Sequence, residues 1–381
     1  MSRTLSRLEL YEMVWAQPMR TVASGFGISD VALKKICRKA NVPAPERGYW
    51  ARKQAGHRVV RPALPKRKPG MPDTIAIGQQ RYASHYYSYS EESLLTELPP
   101  APTFPDDIES LRTEVRKQIK KVTAPSLESA HRAIGQLLQA DVERREKQSK
   151  ASYQSILDAP LFDAPFERRR LRIANAIFLA LARQGHRPSV HGKDAKNFSV
   201  TVGGQWVSFS LDVPGAPERD DRHWGPRKEP PNTTMELRIA QRSWKDEVGA
   251  RLESKLTDAA VELVVQGELQ HRANVISGYE WRVKRKADVE ARLAREKAQR
   301  EEQERQAKLA AEKARVDRLL AEAAALRQAS DIREYVRAAL AYAADAGGSH
   351  ADDVRLWAAW ANAQADRIDP LIGRAFLASH S

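Results

Sequence analysis

The side chains best suited to chemistry in this chain are the cations near its start. Lys34 and Arg38 stand four residues apart, with Lys35 between them and Arg20 and Thr21 ahead of them. Arg47, Arg52, Lys53, Arg58 and Arg67 follow, interleaved with Tyr49 and Trp50. Residues 1–70 hold 15 Lys and Arg against 4 Asp and Glu, a net of +11 out of +14 for all 381 residues. Cations concentrated this way form an electrostatic footprint for a polyanion, either nucleic acid or an anionic membrane surface. A four-residue spacing puts Lys34 and Arg38 on one face of a helix, from which both can reach phosphates or base edges.

Other chemistries find less support. Cys37 is the single cysteine, so no disulfide framework and no cysteine-based zinc site can form within the chain. Its neighbour Arg38 allows a redox sensor, but a small packing residue is the simpler reading. The nine histidines form no HxxxH or HxH pair, and no G-x-S-x-G, Walker A or G-x-G-x-x-G pattern occurs. We therefore expect no catalytic residue, no metal and no cofactor. One arrangement offers an enzymatic alternative. Asp212 ends a predicted strand and Glu236-Leu237-Arg238 lies in a later one, much as a metal-dependent nuclease places an Asp beside Glu-x-Lys. Arg stands where Lys is wanted, and a guanidinium is a poor substitute for that ammonium.

The elements that must position the cations lie in Met19–Arg38, MRTVASGFGISDVALKKICR. Ala23 supplies a small residue where two short helices must meet. Gly27 supplies a turn residue tolerant of φ > 0. Val22, Ile28, Leu33 and Ile36 can close a small core. Ser29 fits as N-cap of the second helix, and Asp30 suits its first turn. This window resembles the helix-turn-helix of phage Cro/repressor and resolvase-type regulators. The resemblance implies a recognition helix from Ser29 to Ala40 in the major groove of duplex DNA. Its outward residues are then Ser29, Asp30, Val31, Lys34, Lys35 and Arg38, with Arg20, Thr21 and Ser24 at phosphates. Asp30 either accepts from a cytosine amino group or only caps the helix. The preceding helix offers Leu8, Tyr11, Val14 and Trp15 for packing. The run Lys66-Arg67-Lys68-Pro69-Gly70 loosely resembles an AT-hook minor-groove arm, lacking the hook's central glycine. It is equally a solubilising basic linker.

The rest of the chain reads as mainly α with a small α+β central domain. We expect a helix-turn-helix domain at 1–60 and a proline-rich basic linker at 61–107, outside any packed core. A helical connector at 108–165 leads to an α+β domain at 166–270, with a sheet of three or four strands. Gly203-Gly204 between Asn197–Val202 and Gln205–Val213 is a hairpin signal. Phe198, Trp206, Phe209 and Trp224 are expected in the core, with a ligand pocket as the alternative. Residues 246–270 return to a helix. Glu280–Arg327 contains no Pro or Gly, so a long charged helix is expected within 271–330, supported by i,i+4 pairs such as Asp288/Arg292 and Glu301/Arg305. A C-terminal helical hairpin at 331–381 closes the chain, with Trp357 and Trp360 packing on its neighbour. No run approaches the roughly 18 consecutive apolar residues of a membrane span, and the first residues lack the apolar stretch of a signal peptide. The expectation is a cytoplasmic, nucleoid-associated regulator of bacterial or phage type. Its partners would be double-stranded DNA and a second copy or helical partner held through the long helix. Accessory roles in a mobile element or defence system remain alternatives.

Overall fold

A computed structural model describes residues 3–77, 95, 98, 100–151, 153, 159–216, 229–230, 232–345 and 351–374. The chain is mainly helical, with a small β component. It divides into two units, residues 1–284 and 285–381.

The first unit opens with β1 (Arg3–Ser6), α1 (Arg7–Ala16), α2 (Met19–Gly25), α3 (Asp30–Lys39), α4 (Tyr49–Gln54) and β2 (Thr74–Ile77). Ser6 starts α1 with a capping box. The Glu9 amide donates to Ser6 Oγ at 3.1 Å, and the Ser6 amide to Glu9 Oε2 at 2.7 Å. That start sets the buried stripe as Arg7, Leu10, Tyr11, Val14 and Trp15. Leu8, expected to pack, faces solvent instead, and Leu10 takes the core position.

Residues 61–77 correct the expected linker boundary. β2 pairs antiparallel with β1, Arg3 opposite Ile77 and Ser6 opposite Thr74, and Ile77 is buried. Between α4 and β2 the chain forms an extended strap over α1. Prolines suit such a strap because they fix φ and lack an N–H that would need a partner. Their carbonyls are used: Tyr11 Oη donates to Pro62 O at 2.8 Å, and Arg7 Nη2 to Pro65 O at 3.0 Å.

The central part contains α5 (Ile108–Ile119), α6 (Arg132–Lys150), α7 (Pro165–Arg183) and strands β3 (Arg187–His191), β4 (Asn197–Val202), β5 (Gln205–Asp212), β6 (Glu236–Ile239) and β7 (Arg242–Lys245). The five strands form one antiparallel sheet in sequential order. Alternation sends Phe198, Val200, Phe209, Leu211, Leu237 and Ile239 into a core shared with α7 and the start of α8. Gly203, at φ 65°, turns the β4–β5 hairpin. The sheet has one strand more than expected. β7, RSWK, carries a single apolar residue, and so lacks an alternating signal. It also delays the helix expected from 246, which begins at Leu256 after a short 3-10 turn.

That helix, α8, runs unbroken from Leu256 to Asp345 and contributes to both units. The helices expected at 246–270, 280–327 and 331–344 are therefore parts of one. No proline interrupts it, and a lone helical glycine such as Gly278 costs only about 1 kcal/mol. Its surface pairs include Arg292–Glu296 and Lys297–Glu301, each at 3.8 Å.

In the second unit α9 (Ala351–Ile368) packs on the end of α8 through Ala358, Ala361 and Trp357 against Val336 and Ile332. Arg333 ties the two with ion pairs to Asp366 and Asp369 at 2.8 and 2.6 Å. Trp357 packs edge-on against Tyr335, but Trp360, also expected to pack, is exposed.

Candidate nucleic-acid interface

α2 and α3 meet around a turn built from local hydrogen bonds. The Phe26 and Ile28 amides donate to Ala23 O and the Gly27 amide to Ser24 O, with Gly27 at φ 66°. Val22, Ala23 and Leu33 are buried beneath it. Ile28 and Ile36 are only partly buried, and Cys37 takes the deeper site expected for Ile36. Burial pushes the Cys37 thiol up to about 11, so it is a packing residue with little thiolate character.

Both ends of α3 are satisfied. Ser29 Oγ accepts from the Ala32 amide at 3.1 Å, and Asp30 Oδ1 accepts from the Val31 amide at 2.9 Å. Asp30 is thus engaged in local capping. At the other end Asn41 adopts φ 55°. The Val42 amide donates to Cys37 O at 2.8 Å and the Asn41 amide to Arg38 O at 3.2 Å, the two bonds of a Schellman closure. Arg7, buried on α1, donates to Ala40 O at 2.9 Å and to Asn41 O and Pro65 O at 3.0 Å each. One guanidinium therefore joins α1, the end of α3 and the strap.

The geometry brings together most of the residues expected to contact a polyanion. Arg20, Thr21, Ser29, Asp30, Val31, Lys34, Lys35 and Arg38 are all exposed on α2, α3 or the turn between them. Lys39, missed from the sequence, is exposed too, and four-residue spacing from Lys35 would have found it. Among the described residues, none of the four cations of α3 has an ion pair. Arg47, Arg52, Lys53 and Arg58 are exposed beside and beyond α4. Arg52 lies 3.9 Å from Glu46, and Lys53 sits over the Trp50 ring at 5.1 Å.

Arg67 does not belong with this group. It is 16% exposed and gives two hydrogen bonds to Glu268 on α8, at 2.9 and 2.5 Å. The Gly70 amide adds a third to Glu268 at 2.8 Å, and Arg272 a fourth at 2.9 Å. Burial opposes ionisation of Glu268, but these donors hold its carboxyl down at about 2. Glycines let three segments meet here. A Cβ on Gly70 would lie 2.4 Å from Val202 O, one on Gly203 2.3 Å from Gly70 C, and one on Gly267 2.6 Å from Val202 Cβ. The basic run Lys66–Gly70 is therefore an anchor to the central part. Its tertiary partner, Glu268, lies 201 residues from Arg67.

Asp212 and Glu236 do stand opposite one another in the β5–β6 register. Each is already neutralised. Asp212 takes Arg170 at 3.0 Å and Lys196 at 3.4 Å, and Glu236 takes Arg238 at 2.6 Å and Lys245 at 3.4 Å. Arg170 also pairs with Glu167, which burial pushes up to about 7. No group of three His, Cys, Asp or Glu that could hold a metal occurs among the described residues. Phe198 and Phe209 are stacked in the core as expected, at 5.0 Å between centroids, whereas Trp206 is 56% exposed. Its outward position follows from strand alternation, since Val207 and Phe209 face in. Trp224 lies outside the described residues. No helix among the described residues is long and apolar enough to cross a membrane.

No protein-family model, curated protein or solved structure matches the chain.

Proposed function

We propose that this chain binds duplex DNA sequence-specifically through α2 and α3, as a transcriptional regulator of bacterial or phage type. α3 enters the major groove. Lys34 and Arg38 read base edges or flanking phosphates, with Lys35 and Lys39 beside them, while Arg20 and Thr21 touch the backbone. Arg47, Arg52, Lys53 and Arg58 extend the phosphate track. The observation that carries this reading is the state of α3. It presents four exposed cations without ion-pair partners among the described residues, on a helix closed at both ends and fixed from behind by Arg7.

The protein acts as a dimer. Leu309, Val316, Leu319 and Leu320 are exposed on α8 within the second unit. Leu309, Val316 and Ala323 recur every seven residues, with Leu319 and Leu326 three further on, the spacing of a coiled-coil seam. A second copy of this chain is the occupant.

The test is fluorescence anisotropy of the full chain on duplexes selected from a random library, across a salt series. Wild type is expected to bind with a steep salt dependence. Lys34→Ala with Arg38→Ala should weaken the selected duplex by at least about 2 kcal/mol and flatten sequence preference. A folded wild type that binds no duplex at low salt overturns the reading. So does a double variant with unchanged affinity and preference. Mg²⁺-dependent cleavage abolished by Glu236→Ala would replace it with the nuclease alternative.

A further inference from the structure

The central sheet has two unlike faces. One is covered by α7 and the start of α8. The other carries, row by row, Arg187, Thr201 and Trp206; then Ser189, Ser199 and Ser208; then His191, Asn197, Ser210, Arg238 and Ser243. Trp206 is the one large apolar side chain in these rows. An antiparallel sheet commonly turns one polar face to water, but a tryptophan there exposes costly surface. Trp206 is 56% exposed, and Ser208 and Ser243 are exposed with it.

Its setting is ordered. The His191 ring lies against the indole, 5.1 Å between centroids at 40°. His191 Nε2 shares a hydrogen bond with Ser199 Oγ at 2.8 Å, and Ser199 Oγ another with Ser189 Oγ at 2.7 Å. Ser199 is buried under this arrangement, so the ring pair rests on a fixed polar base. The exposed charge along the edge strand is mainly positive. Arg187 and Lys193, at and just past the two ends of edge strand β3, are exposed and have no ion pair among the described residues. The carboxylates at the far end of the face, Asp212 and Glu236, are matched by Arg170, Lys196, Arg238 and Lys245. Asp194, in the β3–β4 turn, lies 4.0 Å from Lys196.

We propose that this open sheet face binds single-stranded nucleic acid. A base stacks on Trp206, the sugar–phosphate backbone follows β3 between Arg187 and Lys193, and Asn197, Thr201 and Ser208 offer hydrogen bonds to the neighbouring base. Aromatic platforms with flanking cations take single strands in this way, because every base has a π-face while its phosphates need cations. A neutral oligosaccharide also stacks on tryptophan but gains nothing from Arg187 and Lys193, so the charge favours the polyanion. The surface is separate from α3 and does not rest on the duplex-binding reading.

The experiment measures binding of a short fluorescein-labelled oligothymidylate to the full chain, with the duplex assay run in parallel. Trp206→Ala should weaken the oligothymidylate by about tenfold or more, and Trp206→Phe should recover most of it, with duplex binding unchanged. Arg187→Ala with Lys193→Ala should reduce the salt dependence for the single strand. This pair lies at the exposed sheet edge and reports on the site even if Trp206→Ala disturbs the fold. Unchanged oligothymidylate binding in a folded Trp206→Ala variant and in the Arg187/Lys193 variant overturns the proposal. So does quenching of tryptophan fluorescence by a chito-oligosaccharide but not by oligothymidylate, which would make the face a sugar site.

Discussion

Single residues near α3 do work that their types only partly announce. Gly27 is required by its φ of 66°. No atom lies within 4 Å of the place a Cβ would take there, so an added methyl meets only backbone strain. Gly27→Ala should therefore cost about 1–2 kcal/mol in urea unfolding, and Gly27→Asn less, since Asn tolerates that conformation. Arg7 is a stronger case. Buried, and donating to three carbonyls on two segments, it cannot be replaced by an apolar side chain without stranding those acceptors. Arg7→Met should lose about 2–4 kcal/mol of stability by the same measurement. It should also weaken duplex binding, because the end of α3 loses its support. Gly27 was legible in the sequence, because a turn between two short helices needs such a residue. Arg7 was not, since its partners lie 33 to 58 residues away.

At the scale of elements, the strap is the main correction to the sequence reading. A proline-rich basic stretch has the composition of a linker, yet residues 61–77 complete the N-terminal module and anchor it to α8 through Arg67, Gly70 and Glu268. Glu268→Gln should break a buried charge network. We expect a loss of about 3–5 kcal/mol and faster hydrogen exchange in the strap, with α3 amides less affected. Acid should act at the same place. Asp246, just past β7, is a second such carboxylate, accepting from Arg169 and from the Met235 and Leu252 amides. Burial opposes ionisation of both, but their donors hold Glu268 and Asp246 at about 2, below their values in the unfolded chain, so their contribution is present above about pH 4.5. It is lost as pH falls toward 2. Burial, helped by Lys68, lowers His186 to about 4, which adds a loss between about pH 6.5 and 4. Glu167 works in the opposite sense, since burial raises it to about 7 and protonation relieves it. A pH titration of the urea midpoint should therefore fall most steeply below about pH 4.5 in wild type, and less steeply there in Glu268→Gln.

For the whole molecule, α8 is the element that enters both units, and its exposed leucines in the second unit are the surface on which the proposed dimer rests. Val316→Asp with Leu319→Asp should convert the proposed dimer to monomer in sedimentation velocity while leaving the helical signal of the first unit intact. Duplex affinity for a palindromic site should fall with it, and affinity for a half-site should not. A wild type that sediments as a monomer at the highest soluble concentration removes the dimer from the proposed function.

What the sequence determined by itself was local. The α2–α3 turn, the Ser29 cap, the glycine hairpin and the unbroken helix after Glu280 each depend on residues a few positions apart, whose conformational preferences act before any tertiary contact forms. Which cations of the N-terminal segment stay free was decided only by the tertiary structure. Lys34 and Arg38 remain exposed because α3 turns them away from its core, whereas Arg67, equally basic and only 29 residues beyond Arg38, meets a buried Glu268 that arrives from a distant helix. Trp206 was decided the same way. It shares a strand with the buried Val207 and Phe209, but strand parity placed it on the opposite face, and one residue of register separates a core side chain from a surface one.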